Sequence, residues 1–134
     1  MLGVKTYPKS YVAACRAKVE KDISAYRALA ATAKTQPALK AFETTFFNNM
    51  VLVLDNLFVH RLRGVEGKDG NPLNEVRVLC DSMLNSRMVA DKSIKLSPEK
   101  SVLKYKVGDE IKLSEADFLL LSKAFFAEIE RKYL

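Results

Sequence analysis

The segment from residue 36 to 63 restricts the folds open to this chain more than any other. Its apolar residues recur at helical steps, but on nearly every side. Phe42, Phe46, Val53 and Leu57 form one row, and Phe47, Met50, Leu54 and Phe58 form the next. Val51, Leu52, Val59 and Leu62 cover much of the remainder. A helix that is apolar all round leaves too much hydrocarbon in water unless neighbours surround it. This one is therefore expected at the centre of a bundle or in an oligomer interface. Thr35 and Pro37 mark its start, proline being suited to a first helical turn.

The flanking segments read as helices able to supply that cover. Over 7–34, Val12, Cys15, Val19, Ile23, Tyr26, Ala30 and Ala33 share one stripe. Pro8 suits the first turn and Thr6 is a candidate cap. Lys9, Arg16, Arg27 and Lys34 run beside the stripe, and the far face is alanine-rich, which favours the helix and permits close approach of another. "GVEGKDG" (64–70) is a loop by composition. Asn71 before Pro72 signals a new helix over about 72–86, burying Leu73, Val76, Leu79, Cys80 and Met83. Ser114 with Asp117 resembles a capping box, Asp standing for the usual Glu or Gln. The last helix, about 115–133, sets Phe118, Leu121, Phe125, Ile129 and Tyr133 on one face.

Between 88 and 113 the period changes to alternation. Ile94 and Leu96 flank Lys95; Leu103, Tyr105 and Val107 alternate with Lys104 and Lys106; Ile111 and Leu113 flank Lys112. With turns at "SPEK" (97–100) and "GD" (108–109), this predicts two or three short strands, or a helical turn opened by Pro98. The expected fold is mainly α: an up-and-down four-helix bundle in a single domain over 1–134. A small antiparallel β-hairpin or meander is expected at about 93–113, before the last helix.

With 134 residues, 49% of them hydrophobic and 28% charged, the chain has the balance of one folded domain. No apolar run approaches the roughly 18–20 residues needed to span a bilayer, and "MLGVKTYPKS" lacks a secretory apolar core, so a cytoplasmic protein without membrane contact is expected. Cys15 and Cys80 lack metal-type spacing and read as reduced, buried thiols. Phosphate-binding glycine loops, nucleophile elbows and zinc motifs are all missing, and neither cofactor nor metal is expected. The net charge of +6 comes from residues 1–40, where eight Lys or Arg meet two acids. That suggests one basic face, which with the lysines at 92–112 offers nonspecific nucleic-acid binding as one function.

The candidate site residues cluster at the end of the second helix. Asn49, Asn56 and His60, seven and four apart, stack on one side of a helix expected to be buried. Buried polar groups need partners. They would orient a small ligand, or Asn49 and Asn56 would set helix register as asparagines do at coiled-coil core positions. The following stretch, "HRLRGVEGKDGNPLNEVR" (60–77), brings Arg61, Arg63 and Arg77 close to that helix end. There they would bind an anion, with His60 as acid or base. Alternatively they neutralise helix-end carbonyls and pair with Glu66, Asp69 or Glu75 to fix the turn.

Within the same region "DNLFVH" (55–60) resembles half of the R-(N/H/D)-x-x-x-H motif of HEPN-type domains, helical bundles that often act as ribonucleases. Asn56 and His60 match that motif, while Asp55 stands where the family has arginine, removing the group that would hold a phosphate. The resemblance covers six residues. The leading functional expectation is a non-catalytic bundle acting by self-association, as a dimer, or by binding a protein partner. An enzyme or binding protein for an anionic or phosphorylated molecule, built on His60 and the 61–77 turn, is the alternative.

Overall fold

The computed structural model describes residues 3–33 and 35–134 and is mainly helical. Its elements are α1 (Lys9–Ala33), α2 (Pro37–Leu57), the single turn α3 (Arg63–Glu66), α4 (Pro72–Ser82), a 3-10 turn (Met83–Asn85) and α5 (Glu115–Tyr133). The apolar stripe of α1 is buried from Val12 to Tyr26, and that of α5 from Phe118 to Tyr133. Lys34, the end of the expected basic row, lies outside the described residues. α2 packs on α1, α4 and α5, and α4 packs on α5, so α2 is central as its composition implied. Its buried side is Phe47, Met50, Val51, Leu54 and Phe58.

Two helix starts follow from local chemistry. The Asn71 side chain accepts from the backbone N–H groups of Leu73 and Asn74 at 2.9 and 3.2 Å. Ser114 and Asp117 form the reciprocal capping box, each side chain bonding the other's N–H at 3.1 Å. α2 ends at Leu57, about six residues before its apolar pattern stops. Phe58 leaves helical geometry, and a tight turn carries the chain to Arg61, whose backbone pairs with Val4 in an isolated parallel bridge.

The expected β-hairpin over 93–113 does not form. Among the described residues there is no sheet, and only one further bridge, Arg87 with Glu110. The reason lies in where the backbone N–H groups go. Glu75, on α4, accepts from Val102 at 2.7 Å and from Leu103 at 2.9 Å. Ser101 Oγ accepts from Lys104, Asp109 from Lys106, Asp91 from Ser93 and Ile94, and Asn48 from Leu113. Side chains thus satisfy the donors that a strand ladder would need, and the segment wraps the bundle as an ordered irregular strap. The alternation survives as burial: Ile94, Ile111 and Leu113 face inward while Lys95 and Lys112 face water. Pro98 opens a helical turn, closed by Ser101 N–H on the Ser97 carbonyl at 2.9 Å.

Candidate interaction surface on the second helix

The polar turn after α2 is an interior feature. Arg61 and Glu66 have no side-chain exposure, and they pair at 2.9 Å through Nε and Oε1. The remaining Arg61 donors reach the Phe58 carbonyl at 3.1 Å and Asp55 at 2.9 Å. Arg77 bonds both Glu66 oxygens, at 2.6 and 3.1 Å, and Asn74 adds a fourth donor at 2.8 Å. Burial pushes the Glu66 carboxyl up, but the Arg77 bond, the charges of Arg61 and Arg77 and the Asn74 bond outweigh it. They hold the carboxyl below its ordinary value of 4.5. The Glu66 carbonyl in turn accepts from Asn71 and from Lys132 on α5, tying the turn to the last helix. Arg61 and Arg77 are therefore occupied as turn-fixing groups, pairing with Glu66, while Glu75 serves the 101–103 backbone instead.

His60, Arg63, Asn49 and Asn56 are all solvent-exposed. The expectation that Asn49, Asn56 and His60 lie on the buried side of α2 is corrected: the row containing them faces outward, and the neighbouring row fills the core. The structure does not gather His60 with the arginines. His60 stands in water while Arg61, the next residue, points inside at 3% exposure. Asp55 of the "DNLFVH" segment is the partner of Arg61. The basic row of α1 is also engaged, Arg16 with Glu130 and Arg27 with Glu115, both acids on α5. Burial raises the pKa of the Cys15 and Cys80 thiols, keeping both protonated and weakly nucleophilic near neutral pH. Among the described residues no three His, Cys, Asp or Glu converge as metal ligands, and no helix is long and apolar enough to cross a membrane.

The outward face of α2 is the unusual surface. Phe42, Thr45, Asn49, Leu52 and Asn56 are all exposed and follow one another at steps of three, four, three and four, and Val59 is exposed just past the helix end. Phe42 and Leu52 keep 41% and 40% of their surface in water, and Val59 keeps 50%. Between residues 41 and 60 no exposed Lys, Arg, Asp or Glu occurs, although 28% of the chain is charged. Half-buried Phe46 and Val53 border the row. Tyr26 of α1 stacks on Phe42 and Phe46 with ring centroids 6.3 and 5.3 Å away, holding the aromatic end in place. The steps are those of heptad positions a and d, with Phe42, Asn49 and Asn56 at a and Thr45 and Leu52 at d. The asparagine spacing was legible in the sequence; the side of the helix it occupies was not.

Comparison with protein-family models, with curated proteins and with solved structures finds no match to this chain.

Proposed function

We propose that this protein acts through self-association, a second copy packing its own α2 against the outward face of the first. The observation carrying this reading is the uncharged a/d row from Phe42 to Asn56, on a chain otherwise rich in charge. A solvated helix face normally holds the charged residues of its helix; a face that excludes them and repeats every three and four residues is built for another helix. The asparagines favour a like partner in parallel. With a facing a, Asn49 meets Asn49 and Asn56 meets Asn56 across a two-fold axis, and each amide offers the other both a donor and an acceptor. Antiparallel packing sets a against d and leaves Asn49 facing an apolar residue. The row is about two heptads long and includes the polar residues Thr45, Asn49 and Asn56, so the dimer is weak and reversible.

Sedimentation equilibrium tests it. The protein should shift from monomer toward dimer as concentration rises, while Leu52→Glu should remain monomeric at every concentration and still fold, because Leu52 lies outside the buried core. Replacing Asn49 and Asn56 together with leucine should tighten association and loosen its stoichiometry. A wild-type protein that stays monomeric at high concentration, or a Leu52→Glu protein that associates as the wild type does, would sink the reading.

A further inference from the structure

The irregular strap borders a cavity of about 540 Å³. Its floor is apolar, formed by Val78 of α4 with Met88 and Ile94, all three buried. Its opening carries Lys95, Lys104 and Lys106. Volume and lining are those of a small-molecule site rather than a packing defect. Three lysines outnumber the one carboxylate in the lining, Asp91, whose Oδ1 accepts from the N–H groups of Ser93 and Ile94 at 2.8 and 2.9 Å. Among the described residues, none of the three lysines forms an ion pair with a carboxylate.

The backbone at the rim is held in an unusual shape. Lys104 has φ of 61°, a left-handed conformation unfavourable for a non-glycine residue. Ser101 Oγ fixes it by accepting the Lys104 N–H at 2.8 Å, and Glu75 fixes Ser101 in turn at 3.1 Å. A buried carboxylate on a core helix thus supports the strap segment that presents two of the three lysines. Val107, beside them, is 69% exposed and leaves apolar surface at the mouth.

We infer that this cavity binds a small amphiphilic anion, an apolar chain or ring lying over Val78, Met88 and Ile94 with one anionic head against Lys95 and Lys106. The apolar floor selects for hydrocarbon, and the excess of lysines, none of them in an ion pair, selects for a negative head over a neutral or positive one. Neither feature depends on how copies of the chain associate, since the α2 face and the strap share no residue.

Decanoate, kept below its micelle-forming concentration, is the probe, with decanol and decyltrimethylammonium as neutral and cationic counterparts. Binding to the full chain is followed by the methyl resonances of Met88 and Ile94. The expected result is saturable binding of decanoate, at least tenfold weaker binding of decanol, and none of the cation. Lys95→Gln with Lys106→Gln, both on the surface, should weaken decanoate about tenfold or more and leave decanol unchanged. Ala90→Trp, at an exposed lining position, should block both. No saturable binding of decanoate, equal affinity for decanol, or decanoate binding that survives either variant would overturn the inference.

Discussion

A carboxylate with no exposure to solvent is tolerable only if donors meet its lone pairs, and Glu66 has four of them, from Arg61, Arg77 twice and Asn74. Arg61 is equally dependent, for its guanidinium has no exposure and its anionic partners are Glu66 and Asp55. The pair also bonds two carbonyls, those of Phe58 and Leu73, so it closes the end of α2 against the start of α4. Glu66→Gln keeps the shape but removes the charge that both arginines face. The expected cost is about 3–5 kcal/mol, most of it the penalty of leaving Arg61 buried without its main counter-charge. Urea denaturation of the two proteins measures it. A loss below about 1 kcal/mol would mean that Asp55 alone suffices for Arg61.

At the scale of elements, the same logic separates what was legible in the sequence from what was not. Caps are local, so Asn71-Pro72 and Ser114 with Asp117 could be read from neighbours in the chain, and both helices start there. α1 and α5 have a single apolar stripe each, and the period alone oriented them. α2 has two adjacent apolar rows with similar aromatic content. Periodicity cannot choose between Phe42 with Phe46 and Phe47 with Phe58, and Asn49 and Asn56 were assigned to the wrong side for that reason. The strap shows the other limit. Its alternation correctly marked burial, but some of its backbone partners are distant, on Glu75, 27 to 28 residues away, and on Asn48, 63 to 65 residues away. No pattern within the segment reveals them. Glu75→Ala should accordingly release the strap without unfolding the bundle: amide hydrogen exchange at Val102, Leu103 and Lys104 should accelerate while that of α5 stays slow. Uniform acceleration across the chain would instead place Glu75 in the global core.

At the scale of the whole molecule, the hydrogen-bonded carboxylates give folding a defined dependence on acid. Glu66 and Glu128 are held below their ordinary 4.5, and Asp69 and Asp91 below 3.8. For a group whose folded value is lowered, the stabilisation is complete above the unfolded value and is lost as pH falls through the folded one. Asp81 runs the other way: burial, then the charge of Asp91, raises it, so its protonation favours the fold. Four lowered groups against one raised group set the sign, and the formal net charge of +6 only adds repulsion as further carboxylates are neutralised. The thermal midpoint should therefore be nearly level between about pH 5 and 8 and fall steadily below about pH 4.5. It is best measured on Leu52→Glu, so that concentration-linked dimer stability does not enter. Adding Glu66→Gln should lower the plateau and flatten the acid limb, because the fully buried carboxylate among them has been removed. A midpoint that is unchanged down to about pH 3, or an acid limb just as steep in the double variant, would show that the Arg61–Glu66–Arg77 cluster is not what makes the fold acid-labile.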